Sequence, residues 1–275
     1  DLLEFSKSLL SSIFFSSNFF FWKNTGYFFG GNELKPLIHT WSLSVEEQFY
    51  ILFPLIVLLI LRYLKKLMLP LFVLILFSSI ILAEIESRDG SAGAFYLLPT
   101  RAWELISGVL CFFFLNQKII FSKTLKEFLS FIGLSAVIIS LIFFKEEFTH
   151  PGLITLIPVI GTMLIIIFGN QKTLTYKFLA NKVLVFNGLI SYSLYMWHQP
   201  ILAILKYTVG ISNLFEQFIL VLSLIVVSTA SWKYLEKPAR DRNRISNKVF
   251  FSSTLFTLLF ILSFSVVGIS SQGLL

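Results

Sequence analysis

The sequence predicts an all-α fold: a polytopic transmembrane helix bundle with about eight or nine membrane helices. Three observations lead there. Hydrophobic residues make up 56% of the 275-residue chain and charged residues only 13%, a composition that a soluble domain of this size could not keep in water. Apolar runs of membrane-spanning length recur from one end to the other. The loops between those runs alternate between basic and non-basic.

The first run, 5–22, "FSKSLLSSIFFSSNFFFW", is apolar but threaded with serines. It reads as a short or tilted membrane helix whose end Trp22 and Tyr27 anchor at an interface. Eight clearer spans follow, at about 47–61, 67–83, 102–115, 128–144, 151–169, 186–205, 214–232 and 249–269. Cys111 is the one cysteine; it lies inside an apolar run, rules out an internal disulfide and reads as a small core residue.

Loop charge orients the spans, because cytoplasmic loops retain Lys and Arg. Four alternate loops are basic: "RYLKK" at 62–66, then Lys118, Lys123 and Lys126, then Lys172, Lys177 and Lys182, then 233–248. They hold 15 of the 22 basic residues, against only three acidic ones, Glu127, Glu236 and Asp241. On this orientation residues 23–45 and the C-terminal tail lie outside the cytoplasm. Spread over separate short loops, these charges signal topology and do not form a nucleic-acid footprint.

That orientation gathers polar residues from three segments at the external ends of the spans. "PLIHTWSLSVEEQFY" carries His39, Trp41, Ser42, Glu46 and Glu47; "LPTRAWELISG" carries Arg101, Trp103 and Glu104; "ISYSLYMWHQP" carries Tyr192, Trp197 and His198. His198 falls eight residues before Lys206, roughly 12 Å down a helix. Ionisable groups at that depth normally face a protein interior or a wet cavity. Plainer readings also fit. Glu46 and Glu47 suit a helix N-terminus capped by Ser42 or Ser44. Arg101 and Glu104 suit a helical ion pair, and His198 an aromatic belt. His150, in a short external loop, reads as solvated. The three histidines lie far apart with no cysteine pair, so no metal site is expected, and no P-loop or dinucleotide fingerprint occurs.

The stretches "PLIHTWSLSVEEQFYILFP", "TRAWELISG", "ISYSLYMWHQP" and "KYLEKPAR" stand in the order and at the separations found in the bacterial membrane acyltransferase family 3, the O-antigen acetylase-like proteins. The chain resembles that family over essentially its whole length. Upstream, "FFSSNFFFWKNTGYF" is similar to the branch that carries an extracytoplasmic SGNH-type esterase domain.

The resemblance implies an integral O-acyltransferase of the bacterial cytoplasmic (inner) membrane. It would move an acyl group, usually acetyl from cytoplasmic acetyl-CoA, to a hydroxyl of an extracytoplasmic glycan such as O-antigen, peptidoglycan or another cell-surface polysaccharide. The partners implied are the lipid bilayer, acyl-CoA as donor substrate and the glycan acceptor, with no permanently bound cofactor. A sugar hydroxyl needs a general base and the developing oxyanion needs donors. Glu46, Glu47, Arg101, Glu104 and His198 are the catalytic candidates. His39, Trp41, Ser42, Trp103, Tyr192 and Trp197 are the acceptor-binding candidates. Glu236 and Arg240 match the last motif and face either the phosphates of CoA or a plain positive-inside signal. The family begins with further helices bearing an arginine-and-histidine motif and a basic cytoplasmic loop, usually assigned the principal catalytic and donor roles, that residues 1–275 lack. The chain is therefore expected to be a partial acyltransferase domain, inactive as given, with any SGNH-type domain beyond its C-terminus. The competing class is a non-enzymatic membrane carrier or channel whose polar residues line a permeation path.

Overall fold

The computed structural model describes residues 2–24, 34–117, 119–145, 150–208, 210, 213–241 and 245–273; Tyr27, Lys118, Arg242 and Arg244 lie outside them. No strand occurs among the described residues. Among the described residues six helical stretches are long and apolar enough to cross a membrane: Thr40–Tyr63, Lys65–Arg88, Ala92–Leu115, Lys123–Phe143, Leu214–Arg240 and Asn247–Ser270. They cover six of the expected spans.

The other three runs fall outside that length and hydropathy criterion, for local reasons. The serine-threaded run is two helices, α1 (Leu2–Ile13) and α2 (Ser17–Asn24), separated by a turn in which Phe15 takes a φ of 51°. The run 151–169 gives α8 (Leu156–Phe168) behind a 3-10 turn, Leu153–Thr155. At 13 residues α8 is about 20 Å long, short of a ~30 Å hydrocarbon core. The run 186–205 gives α10 (Lys182–Thr208), whose 27 residues reach about 40 Å, but Asn187, Ser191, Ser193, His198 and Gln199 dilute its apolar character.

The chain forms two compact units, Asp1–Ser44 with Val183–Leu275, and Val45–Lys182. In the second, α3 (Thr40–Tyr63), α4 (Met68–Arg88) and α6 (Leu98–Leu115) close around Ile60, Phe72 and Ile106. A neighbouring cluster packs Ile80, Ala83 and Trp103 against Leu156 and Val159 of α8. The short α5 (Ala92–Tyr96) begins at Ser91, whose hydroxyl accepts the Gly93 N–H, and leads directly into α6. Helix α7 (Lys123–Phe143) crosses α8 where Gly133 meets Gly161: a Cβ at residue 133 would lie 2.5 Å from the Gly161 carbonyl oxygen. Lipid supplies no hydrophobic drive between helices, so close backbone approach at small residues holds such pairs. The short α9 (Leu174–Leu179) follows.

In the first unit α1 packs on α13 (Asn247–Ser270), where a Cβ at Gly268 would collide with the Ser6 side chain. The serines of the α1/α2 region tie to the start of α3. Ser12 Oγ lies 2.9 Å from Thr40 Oγ1 and Ser17 Oγ 2.7 Å from Ser44 Oγ. These hydroxyls satisfy one another where the flanking residues are apolar. Helix α11 (Leu214–Ser231) opens on a capping box between Asn213 and Glu216. It continues through a π-helical segment, Trp232–Glu236, into α12 (Lys237–Arg240). Pro238 has no N–H to donate, so the regular ladder cannot run through this point and a wider turn replaces it.

Candidate functional site

Three of the residues singled out in the sequence come together in the first unit. The His39 and His198 rings lie 5.2 Å apart, centroid to centroid, and the Tyr195 ring stands 5.2 Å from His39 and 5.4 Å from His198. Tyr195 ties the group to the backbone: its hydroxyl donates to the His39 carbonyl oxygen, and Ser42 Oγ lies 2.5 Å from the same hydroxyl. Ser42 therefore does not cap α3. Its partner is 153 residues away. Ser44 likewise bonds Ser17, so both serines face protein contacts instead of the helix end. Sequence reasoning missed Tyr195. Its one signal was position: three residues before His198 on a helix, it shares the histidine's face.

The chemistry of the two imidazoles differs. His198 Nδ1 lies 2.5 Å from the Tyr195 carbonyl oxygen. A carbonyl only accepts, so Nδ1 carries the hydrogen, and in the neutral ring Nε2 keeps the lone pair. That is how an orienting bond prepares a histidine to act as a base. His39, just before α3, is 6% exposed, and neither of its ring nitrogens has a hydrogen-bond partner. Burial first and the His198 charge second, opposed by the Pro36 backbone, lower its pKa from 6.5 to about 4. His39 is thus neutral at pH 7.

A mostly apolar cavity of about 420 Å³ starts three residues from His39, lined by Phe5, Phe21, Pro36, Ala203, Ile204 and Tyr207 among others. The Lys35–Glu4 ion pair, 2.7 Å, also borders it, and Gln199 donates to the Lys35 carbonyl at 3.2 Å. On the same helix Tyr192 and Trp197 are exposed, and Trp41 on α3 is partly buried. Glu236 accepts from Ser193 at 2.9 Å and pairs with Arg240 at 2.7 Å. Arg240 leaves most of its side chain exposed.

The second unit holds Arg101 and Glu104, ion-paired at 2.8 Å across one turn of α6. Glu104 Oε2 receives the arginine, while Oε1 is buried without a partner. Glu104 borders a cavity of about 260 Å³ whose lining includes Ser107, Cys111 and Thr162. The buried Cys111 thus is the small core residue the sequence suggested, set at a cavity wall. Trp103 is core: at 1% exposure its ring offers no face to a sugar or to the membrane interface. His150 is not simply solvated. Its Nδ1 lies 3.1 Å from Thr155 Oγ1, its ring is 5.5 Å from Phe144, and burial, with the Arg101 charge nearby, lowers its pKa. Glu46 and Glu47, adjacent on α3, are both partly buried. Among the described residues no group of three or more His, Cys, Asp or Glu side chains is placed to hold a metal ion.

Known proteins resemble this chain along most of its length. The family model described as "Acyltransferase domain", of acyltransferase family 3, matches residues 7–234. The O-acetyltransferase OatA of Staphylococcus aureus strain NCTC 8325 is 29% identical over 255 residues, which is 88% of this chain and 42% of that protein. The O-acetyltransferase OatA of strain MRSA252 gives the same figures. The chain therefore spans about two fifths of the length of these relatives. No solved structure matches it. With four fifths of the chain inside the family model, this protein belongs to the acyltransferase family 3.

Proposed function

We propose that the protein is an integral membrane O-acetyltransferase that passes an acetyl group from cytoplasmic acyl-CoA to a hydroxyl of an extracytoplasmic glycan. The family match over residues 7–234 carries this reading, and the O-acetyltransferase relatives support the O-acetyl chemistry. The acceptor class follows from the orientation that the basic loops predict, with the His39 and His198 ends of their segments outside. On this orientation α8 and α10 complete an eight-span bundle: α8 is seated against α7 at the Gly133–Gly161 contact, and α10 has the length to cross.

His198 is the general base. Held through Nδ1, it presents Nε2 to the acceptor hydroxyl and takes its proton as the oxygen attacks the acetyl carbonyl carbon. The bond to the leaving group breaks, and the proton passes to that group. The neutral His39 donates to the acceptor sugar, and Ser42 with Tyr195 fixes both imidazoles. Within the second unit Arg101, held by its ion pair with Glu104, is a cation able to receive an anionic group there.

The test is glycan O-acetylation in cells whose only copy is the full-length protein. His198→Gln is expected to lower base-labile acetate on the cell-surface glycan by about 10²-fold or more at unchanged membrane abundance. Retained acetylation in that variant would remove His198 from the reaction.

A further inference from the structure

On the second unit, the start of α7 and the chain around α9 enclose an open groove of about 680 Å³. Three ammonium groups surround it, those of Lys123, Lys172 and Lys177, all exposed and none in an ion pair among the described residues. The one acid in the lining, Glu127, is already occupied: both carboxylate oxygens accept the Leu174 N–H, at 2.9 and 3.1 Å. The groove therefore carries positive charge in excess, on a framework that is built. Thr173 is fully buried, caps α9 through the Tyr176 N–H and bonds Asn170, while Asn170 Oδ1 accepts the Lys172 N–H at 2.9 Å.

Below the lysines the lining turns apolar along one stripe of α7. Thr124, Glu127, Phe128 and Phe131 follow at spacings of three and four, and the two phenyl rings are each 60% exposed. Phe131 lies about 12 Å along the helix from Lys123, into the apolar part of the span. Cations at a helix end with an apolar track running from them toward the hydrocarbon core match an amphiphile with a negative head and a greasy chain.

We propose that this groove binds an anionic phospholipid, its phosphate seated among Lys123, Lys172 and Lys177 and one acyl chain lying along Phe128 and Phe131. The lipid would pin the α7/α9 end at the membrane surface, independently of whether the protein transfers acetyl groups.

The full-length protein would be reconstituted in phosphatidylcholine nanodiscs containing 20% phosphatidylglycerol (about 1 in 5 lipids, a working mixture for this class of headgroup) and released for native mass spectrometry. The wild type is expected to retain phosphatidylglycerol over phosphatidylcholine. The combined Lys123→Gln, Lys172→Gln and Lys177→Gln variant should lose that preference by roughly 10²-fold, at about fivefold per lysine. A Lys65→Gln, Lys66→Gln control, which removes charge from another basic loop, should keep it. Equal retention by the triple variant, or equal loss by the control, would overturn the assignment. Competition at millimolar concentration separates the sources of phosphate: displacement of the lipid by inorganic phosphate or by coenzyme A would also overturn it. A Phe128→Ala, Phe131→Ala variant guards against misfolding as the cause, since it keeps the charges and should lose the lipid only in part.

Discussion

His39 shows what burial does to one side chain. Its imidazole is neutral in the fold and stays so down to about pH 4, whereas in the unfolded chain it takes up a proton near pH 6.5. Above pH 6.5 both states are neutral and the residue contributes no pH dependence. As pH falls from 6.5 to about 4 only the unfolded state gains a proton, so stability decreases, by up to ~1.4 kcal/mol per pH unit and about 3 kcal/mol in all; below about 4 the loss stops. The groups facing His39 are His198, the Tyr195 ring and the Pro36 carbonyl. Thermal unfolding in micelles across this range should show His39→Gln losing correspondingly less stability than the wild type on acidification. Parallel profiles would mean that His39 is protonated in the fold. Glu46 and Glu47 pose a different residue-scale question. Neighbours on a helix point about 100° apart, so the two carboxylates cannot serve one spot. In the full-length protein one of Glu46→Gln and Glu47→Gln should lower O-acetylation by about 10²-fold at normal membrane levels while the other changes little. Full activity in both would return the pair to the role of helix-start acids.

Helix pairs in this chain are set by small residues. At the α7/α8 crossing, Gly133→Ala places its Cβ 2.5 Å from a backbone oxygen and 2.9 Å from the Leu164 Cβ, so backbone has to move. Overpacking of this kind costs about 1–3 kcal/mol. Gly108→Ala, on α6 with nothing within 4 Å of the added Cβ, should be neutral or slightly stabilising because alanine favours the helix. Comparing the thermal midpoints of the two variants tests this; equal midpoints would show that the glycine contact does not set the crossing. The long apolar helices were legible in the sequence because length and hydropathy define them locally. The run at 5–22 and the length of α8 were less legible, because what decides them is punctuation: a left-handed Phe15 between α1 and α2, and a 3-10 turn that shortens α8. The same contrast holds at the site. His39, Ser42 and His198 could be named from their polarity, but Tyr195 could not, since its value comes from bonds to residues more than 150 positions away. Trp103 failed for the converse reason: nothing in its sequence neighbourhood separates a buried indole from an interfacial one.

For the whole molecule the open physical question is which ends of the helices face the cytoplasm, and the charge pattern gives a definite expectation. Fifteen of 22 basic residues fall in alternate loops, and moving them across a bilayer during insertion is costly, so those loops are expected to stay inside. The fold adds a constraint: α7 begins at Lys123 and ends at Phe143, and α13 runs from Asn247 to Ser270, so each of these helices should carry its N-terminal end in the cytoplasm. With Cys111 replaced by Ser to clear the background, single cysteines at Lys145 and Ser271 should react with a membrane-impermeant maleimide in intact cells. Cysteines at Lys123 and Lys248 should react only after permeabilisation. The two helices are tested independently, because they belong to different units of the fold. Agreement of both would put the His39 and His198 cluster on the acceptor side and the lysine groove beside the inner leaflet. A reversed pattern would exchange those sides, and with them the direction in which the acetyl group has to travel.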